Sequence, residues 1–319
     1  MKTSRLIAAL ISFAVFLGMF WVGFRHSPLA STLGSLFPRA FASFVVLFAP
    51  LWFSGFGASE LFRELPGRTK ILGACCLALS YFMFALGTPI FAWRAAVMVI
   101  AFPALVAAFL ETARLPARMV WRDIAALAII TAAYFLKWFQ LAWPLPGLAL
   151  LAKLFLADVA LYCFLVIRKL AGTGYSLVPT WSALKVGVRE WVFYFPFALL
   201  LGEGTRFLHF HAALPAASVV VGNTLFTLLL IALPEELFFR AILQNLLETR
   251  WGRNGALVVT AILFGLSHFN HSATFNWRYV LLAAIAGVFY GRAWRANREI
   301  LAPIFTHTAV DVIWLLWSR

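Results

Sequence analysis

Residues 215–247 read PAASVVVGNTLFTLLLIALPEELFFRAILQNLL, an apolar run interrupted near its centre by Pro234, Glu235, Glu236 and Arg240. A charged side chain at the centre of a membrane helix costs about 2.5–3.5 kcal/mol on insertion scales, so such residues usually serve a function. Glu236 and Arg240 are i,i+4 neighbours and can form an ion pair. Glu235 lies about 100° around the helix from Glu236 and is left free for chemistry. The alternative is a short interfacial helix that begins at Pro234 and keeps its charges at the membrane surface.

The composition predicts an all-α fold, a polytopic integral membrane bundle. Of the 319 residues, 63% are hydrophobic and 12% are charged, with a mean hydropathy of +0.91, whereas soluble domains are about 45–50% apolar and 25% charged. The apolar runs are long and continuous, which favours helices over a β-barrel. They predict about ten to eleven transmembrane helices, and the 190–202 run, the weakest, has an interfacial alternative. The runs lie at residues 6–24, 40–56, 71–92, 95–111, 123–139, 146–167, 190–202, 215–248, 256–270, 278–291 and 301–317.

The net charge of +14 reflects membrane topology and does not indicate nucleic-acid binding. Lysines and arginines cluster in the breaks between apolar runs. If the N-terminus is cytoplasmic and each run crosses once, 17 of the 26 basic residues fall on the cytoplasmic side and 7 on the opposite side. This split follows the positive-inside rule. We therefore expect an integral membrane protein with a cytoplasmic N-terminus. Its compact arginine-rich loops favour a bacterial inner membrane, with the endoplasmic reticulum as the alternative.

A polar loop at Arg168–Arg189 is the clearest seam in the chain. It predicts an N-terminal transmembrane helical region of unknown role, residues 1–180, and a functional C-terminal region, residues 181–319. Within the first region, Lys153 and Asp158 lie five residues apart on one apolar run, and we expect both to face the bundle interior.

More ionisable residues lie on the last three runs. His268 ends the stretch Phe264-Gly265-Leu266-Ser267-His268, and His307 and Asp311 share one helical face at i,i+4. With a rise of about 1.5 Å per residue, Glu235 and His268 each lie roughly 22 Å from the cytoplasmic end of their helix, and His307 and Asp311 lie roughly 14 and 20 Å from theirs. These depths predict a shared polar cavity. The other polar residues of this region, which we expect in a loop, are Asn270, His271 and Asn276.

Such a cavity is compatible with three classes of function. A carboxylate and an imidazole can hold and deprotonate a water molecule, while a second imidazole and a hydrogen-bonding group can stabilise an oxyanion. These groups suffice for peptide hydrolysis without a serine or cysteine nucleophile. The same side chains also suit zinc in a metal-dependent membrane hydrolase, although the sequence has no His-Glu-x-x-His motif. The third class is a non-catalytic transporter or scaffold, in which the groups relay protons or bind a partner.

The order Glu-Glu-x-x-x-Arg, Phe-x-x-x-His and His-x-x-x-Asp on successive runs resembles the CPBP family. This family comprises CAAX proteases and bacteriocin-processing enzymes, also called glutamic intramembrane or abortive-infection-like proteases. The resemblance covers roughly residues 191–317 and extends to the sequence around the motifs, at residues 235–244 and 300–307. It implies an intramembrane glutamic endopeptidase without a cofactor metal. The implied substrate is a membrane-associated protein or peptide in the lipid bilayer: a prenylated protein, a leader peptide or a C-terminal sorting tail.

The resemblance also implies a role for each matching residue. Glu235 would activate the attacking water with the assistance of His268, and His307 and Asp311 would line the oxyanion site. Asn is common in the family at the position of Asp311, and a carboxylate there would repel an oxyanion. Asp311 is therefore either protonated or orients His307 through a hydrogen bond, and we favour orientation. Three supporting residues would hold the local geometry: Glu236, Arg240 and Phe264.

Overall fold

The protein is represented by a computed structural model that describes residues 3–112, 116–209, 215–269 and 275–317. These residues are predominantly helical, and the chain divides into two compact units, Met1–Ala171 and Gly172–Arg319. The division lies inside the predicted polar seam. The second unit therefore begins nine residues before the expected boundary.

The first unit contains seven helices of six or more residues within its described part. They are α1 (Thr3–Arg25), α2 (Pro28–Ser54), α3 (Ala58–Arg63), α4 (Gly67–Ala85), α5 (Trp93–Glu111), α6 (Trp121–Phe135) and α7 (Ala149–Ile167). Aromatic side chains hold α1 against α2, with the ring centroids of Phe20 and Phe44 5.5 Å apart. The indole Nε1 of Trp52 also donates to the carbonyl of Ala9 at 3.0 Å.

Only one of the two ionisable residues expected inside the first unit is buried. Asp158 is fully buried, whereas Lys153 is exposed and its ammonium group lies 5.6 Å from the ring centroid of Tyr134. Five residues along an α-helix rotate a side chain by about 500°, so the two point about 140° apart. One interior face cannot hold both, and the expectation for Lys153 was wrong.

The second unit contains four helices within its described part. They are α8 (Trp181–Gly204), α9 (Ala217–Leu266), α10 (Trp277–Asn297) and α11 (Leu301–Trp317). The segment before α8 belongs to this unit, because Trp294 Nε1 donates to the carbonyl of Thr173 at 3.1 Å. The backbone N–H of Ile300 likewise donates to the carbonyl of Gly174 at 3.0 Å.

Helix α9 runs through Pro234 without ending. Stretches of π-helix, Thr227–Ala232 and Leu237–Gln244, lie on either side of the turn that contains this proline. Their wider turns accommodate a residue that lacks a backbone N–H. The helix begins at Ala217, well before Pro234, so the alternative of a short helix starting at the proline is wrong.

The kink in α9 lies further along, at Gly252. This residue has φ 68° and ψ 176°, a left-handed backbone conformation that glycine adopts readily. It separates the two apolar runs that the sequence predicts at 215–248 and 256–270. The structure keeps them as two helical arms on either side of this residue.

Six of the described helices are long and apolar enough to cross a membrane: α1, α2, α4, α5, α7 and α9. This confirms an all-helical polytopic membrane protein. All eleven predicted apolar runs fall on helices, but the expected ten to eleven spans exceed these six. Helices α6 and α11 have only 15 and 17 residues, and α8 and α10 carry several charged residues.

Small residues allow close helix contacts in the second unit. A methyl group added to Gly265 would lie 2.6 Å from the Cβ of Ala284 and 2.6 Å from the carbonyl oxygen of Val280. The distal arm of α9, which ends just before His268, therefore lies directly against α10. On α11, the hydroxyl of Thr306 donates to the carbonyl of Gly187 on α8 at 3.0 Å.

Candidate active site

Glu236 lies at the centre of the polar cluster and is completely buried. The Nδ1–H of His307 donates to its Oε1 at 2.8 Å. Its Oε2 lies 3.1 Å from the Nε of Arg240, which is the i,i+4 pair that the sequence predicts. The Oε2–Nε contact does not have the geometry of a hydrogen bond, so it is an ion pair held by the opposite charges. One carboxylate therefore links α9 to α11 and also compensates the arginine.

Arg240 is also fully buried and is surrounded by aromatic rings. Its guanidinium carbon lies 4.6 Å from the ring centroid of Phe264 and 5.3 Å from that of Tyr290. Its Nη2 donates to the carbonyl of Gly287 at 3.3 Å. A buried charge is tolerated only where it is paired and hydrogen-bonded. The ion pair, the carbonyl and the cation–π contacts together supply that environment.

His307 faces carboxylates through both ring nitrogens. While Nδ1 contacts Glu236, Nε2 lies 3.3 Å from Oδ2 of Asp311 and 3.9 Å from Oε2 of Glu235. Tyr290 stacks on the imidazole with a centroid distance of 4.6 Å and an interplanar angle of 16°. Because ionised carboxylates only accept hydrogen bonds, this arrangement suits a ring that donates from both nitrogens.

His268 lies at the end of α9, beside Phe264. Its Nδ1 lies 2.9 Å from the carbonyl oxygen of Phe264 and 3.2 Å from the hydroxyl oxygen of Ser267. The ring centroid of Phe264 lies 4.9 Å from that of His268 and 5.7 Å from that of His307. Phe264 therefore contacts both histidines, as expected of a packing residue.

A cavity in the second unit brings the two histidines to one space. It is lined by His268, His307 and Asp311 together with the rings of Tyr194 and Tyr290. The space open to the centres of water molecules is about 70 Å³, enough for several waters. A site of this kind, mostly apolar with many aromatic rings and a few polar groups, is typical of a binding or catalytic pocket.

Glu235 is not among the residues that line the cavity, but it lies beside one of them. Its side chain is 31% exposed, and its carboxylate lies next to the Nε2 of His307, which does line the cavity. Three residues that were expected to form one polar site, Glu235, His307 and Asp311, are thus brought together. His268 lines the same cavity.

The polar residues predicted in a loop have different outcomes. Asn276 precedes α10 and caps it, since its Oδ1 accepts from the backbone N–H groups of Arg278 and Tyr279 at 3.1 and 3.4 Å. Asn270 and His271 lie outside the described residues.

Sequence reasoning overlooked three tyrosines of the cavity wall, Tyr194, Tyr279 and Tyr290. It also overlooked the contact between Glu236 and His307. A usable signal existed for Tyr290. It lies eight residues before Arg298, hence roughly 12 Å from that helix end, close to the depth expected for His307. The contact between Glu236 and His307 had no such signal, because it depends on how α9 and α11 are rotated against each other.

Glutamates and histidines are also suitable ligands for zinc. Within residues 3–112, 116–209, 215–269 and 275–317, no set of three or more His, Cys, Asp or Glu side chains is arranged to hold a metal ion. The observed contacts of His307 are to carboxylates.

Comparison with known families gives one match. Residues 217–313 match the family described as Rce1-like, type II CAAX prenyl endopeptidase Rce1-like. The match covers under a third of the chain and includes all the predicted site residues. No curated protein and no solved structure matches the chain.

Proposed function

Because its C-terminal region contains an Rce1-like domain of the type II CAAX prenyl endopeptidase family, we propose that this protein is an intramembrane glutamic endopeptidase. The family implies an endopeptidase, and the mechanism below is our proposal. One observation carries it: Glu235, His307 and Asp311 converge beside a water-sized cavity in a helical membrane protein. The proposed core comprises residues 181–319.

In the proposed reaction, Glu235 removes a proton from a water molecule in the cavity, assisted by the imidazole of His268. The water oxygen attacks the carbonyl carbon of the scissile peptide bond, and the carbonyl oxygen becomes an oxyanion. His307 donates to this oxyanion from Nε2. The C–N bond then breaks, and the proton held by Glu235 passes to the departing amine.

Glu236 and Asp311 have positioning roles in this scheme. Glu236 binds the Nδ1–H of His307 and thereby directs the opposite nitrogen to the cavity. Asp311 lies next to that nitrogen and orients the ring from the other side. Arg240 compensates the charge of Glu236, and Phe264 packs between the histidines.

The proposed substrate is a membrane-associated protein or peptide: a prenylated protein, a leader peptide or a C-terminal sorting tail. A prenylated C-terminus suits both the family and the aromatic cavity wall. We further propose a bacterial inner membrane location, a cytoplasmic N-terminus and about ten to eleven crossings, supported by the distribution of basic residues.

A cleavage assay tests the proposal. The purified full chain is incubated in liposomes with a fluorescence-quenched peptide that ends in a farnesylated CAAX sequence. We expect cleavage by the wild type and none by Glu235→Gln or His268→Ala. Glu203→Gln, at an exposed position near the end of α8, is the matched control and should cleave normally. A fully active Glu235→Gln protein would exclude Glu235 as the base.

A further inference from the structure

The position of Asp311 leaves the oxyanion site short of a hydrogen-bond donor. Its carboxylate lies 3.3 Å from the Nε2 of His307, the nitrogen that faces the cavity. An ionised carboxylate only accepts hydrogen bonds and repels a developing oxyanion. With His307 as the sole donor, this site would hold the tetrahedral intermediate weakly, because oxyanion sites commonly use more than one donor.

The hydroxyl of Tyr290 is a candidate hydrogen-bond donor beside His307. It lines the same cavity as His307 and stacks on its imidazole at 4.6 Å. The aromatic ring is held rigidly, because the residue is buried and the guanidinium of Arg240 lies 5.3 Å from its centroid.

The other two tyrosines of the cavity wall, Tyr194 and Tyr279, are less suitable. Tyr279 lies against His268, with ring centroids 5.1 Å apart, whereas Tyr290 stacks on His307. The hydroxyl of Tyr194 donates to the backbone carbonyl of Leu282 at 3.4 Å, so its hydrogen is directed away from the reacting groups. Tyr290 has no intramolecular hydrogen bond from its hydroxyl among the described residues. Its donor is therefore available to a bound substrate.

We propose that the hydroxyl of Tyr290 is the second oxyanion donor of the site and supplies the hydrogen bond that Asp311 cannot give. The inference rests on the proposed endopeptidase function. In the intermediate, the Nε2–H of His307 donates to the negatively charged oxygen instead of to Asp311, and the hydroxyl of Tyr290 donates to the same oxygen. No proton is transferred from Tyr290, which only donates a hydrogen bond.

The variant Tyr290→Phe tests this role, because it keeps the ring that stacks on His307 and removes only the hydroxyl. With the farnesylated CAAX peptide as substrate, we expect kcat to fall about 10²–10³-fold, the usual effect of losing one oxyanion donor, with KM nearly unchanged. Tyr81→Phe is the matched control. Tyr81 is a buried tyrosine of the first unit whose hydroxyl donates to the carbonyl of Ala92. Its loss should leave kcat unaltered.

A rescue experiment separates a donor role from a structural one. Asp311→Asn introduces an amide donor beside His307, so in the Tyr290→Phe background it should restore kcat at least tenfold. A packing defect at position 290 would not be repaired by this change. Wild-type kcat in Tyr290→Phe, or no restoration by Asp311→Asn, would overturn the inference.

The same assays distinguish a failure of the proposed endopeptidase function from a failure of the role assigned to Tyr290. If the wild type cleaves, Glu235→Gln does not, and Tyr290→Phe behaves as the wild type, then the endopeptidase stands and the role of Tyr290 is wrong. If Glu235→Gln cleaves fully, the glutamic mechanism itself is wrong. Thermal unfolding of each variant in the same detergent confirms that a loss of kcat is not a loss of fold.

Discussion

Glu236 binds His307 across 71 residues of sequence, with 2.8 Å between Oε1 and Nδ1. The same carboxylate lies 3.1 Å from the Nε of Arg240. The second glutamate of the pair is therefore the group that joins α9 to α11. The first glutamate, Glu235, is partly exposed and lies beside the opposite nitrogen of His307. Two adjacent carboxylates thus lie at the two nitrogens of one imidazole. Glu236 has a positioning role, and Glu235 is left for the proposed reaction.

Removing Arg240 should destabilise the protein strongly. Arg240→Met leaves a fully buried carboxylate without its arginine, and breaking a buried pair in this way costs about 3–5 kcal/mol. Unfolding by denaturant in detergent measures the loss. Arg250→Met, at an exposed position of α9, is the matched control and should change the free energy of unfolding by less than about 0.5 kcal/mol.

The double variant Glu236→Leu/Arg240→Met sharpens this test. If the two charges compensate each other, it should lose clearly less stability than the sum of the single variants. Additive losses, or an Arg240→Met protein as stable as the wild type, would contradict the assigned pair.

Two glycines of α9 should respond oppositely to alanine. Gly265→Ala places a methyl group against Ala284 and should cost about 1–3 kcal/mol by overpacking. Gly222→Ala meets no neighbouring atom within 4 Å and should stabilise the helix by about 0.5–1 kcal/mol. Equal effects at the two positions would show that the α9–α10 contact is not close.

Chelators should leave activity intact. The proposed scheme generates its nucleophile with Glu235 and His268 and assigns no step to a metal. Cleavage of the farnesylated peptide should therefore proceed at an unchanged rate after incubation with EDTA and with 1,10-phenanthroline. Activity that is lost on chelation and restored by zinc would favour the metal-dependent hydrolase instead.

Local relationships on a single helix could be predicted from the sequence. The Glu236–Arg240 pair and the His307–Asp311 contact are both i,i+4 neighbours, and both are present. The apolar runs likewise fall on helices, because continuous apolar stretches have few other solutions in a membrane. The common depth of the polar groups was sufficient to predict a shared cavity.

Relationships between helices could not be predicted in this way. Whether Glu235 or Glu236 faces α11 depends on the rotation of α9. The π-helical turns around Pro234 shift that rotation away from the regular 3.6-residue period. The position of the break between the two predicted runs, at Gly252, likewise depends on the backbone conformation of one residue. The polar α8 and α10 are also poorly marked by hydropathy, although both line the cavity.

The central claim is that Glu235 drives hydrolysis of membrane-protein substrates. The most direct measurement is a comparison, by mass spectrometry, of membrane-protein termini in cells that produce either the wild type or Glu235→Gln at equal levels. We predict a set of shortened termini in wild-type cells that are full-length in the variant. Identical termini in the two cell lines would contradict the claim.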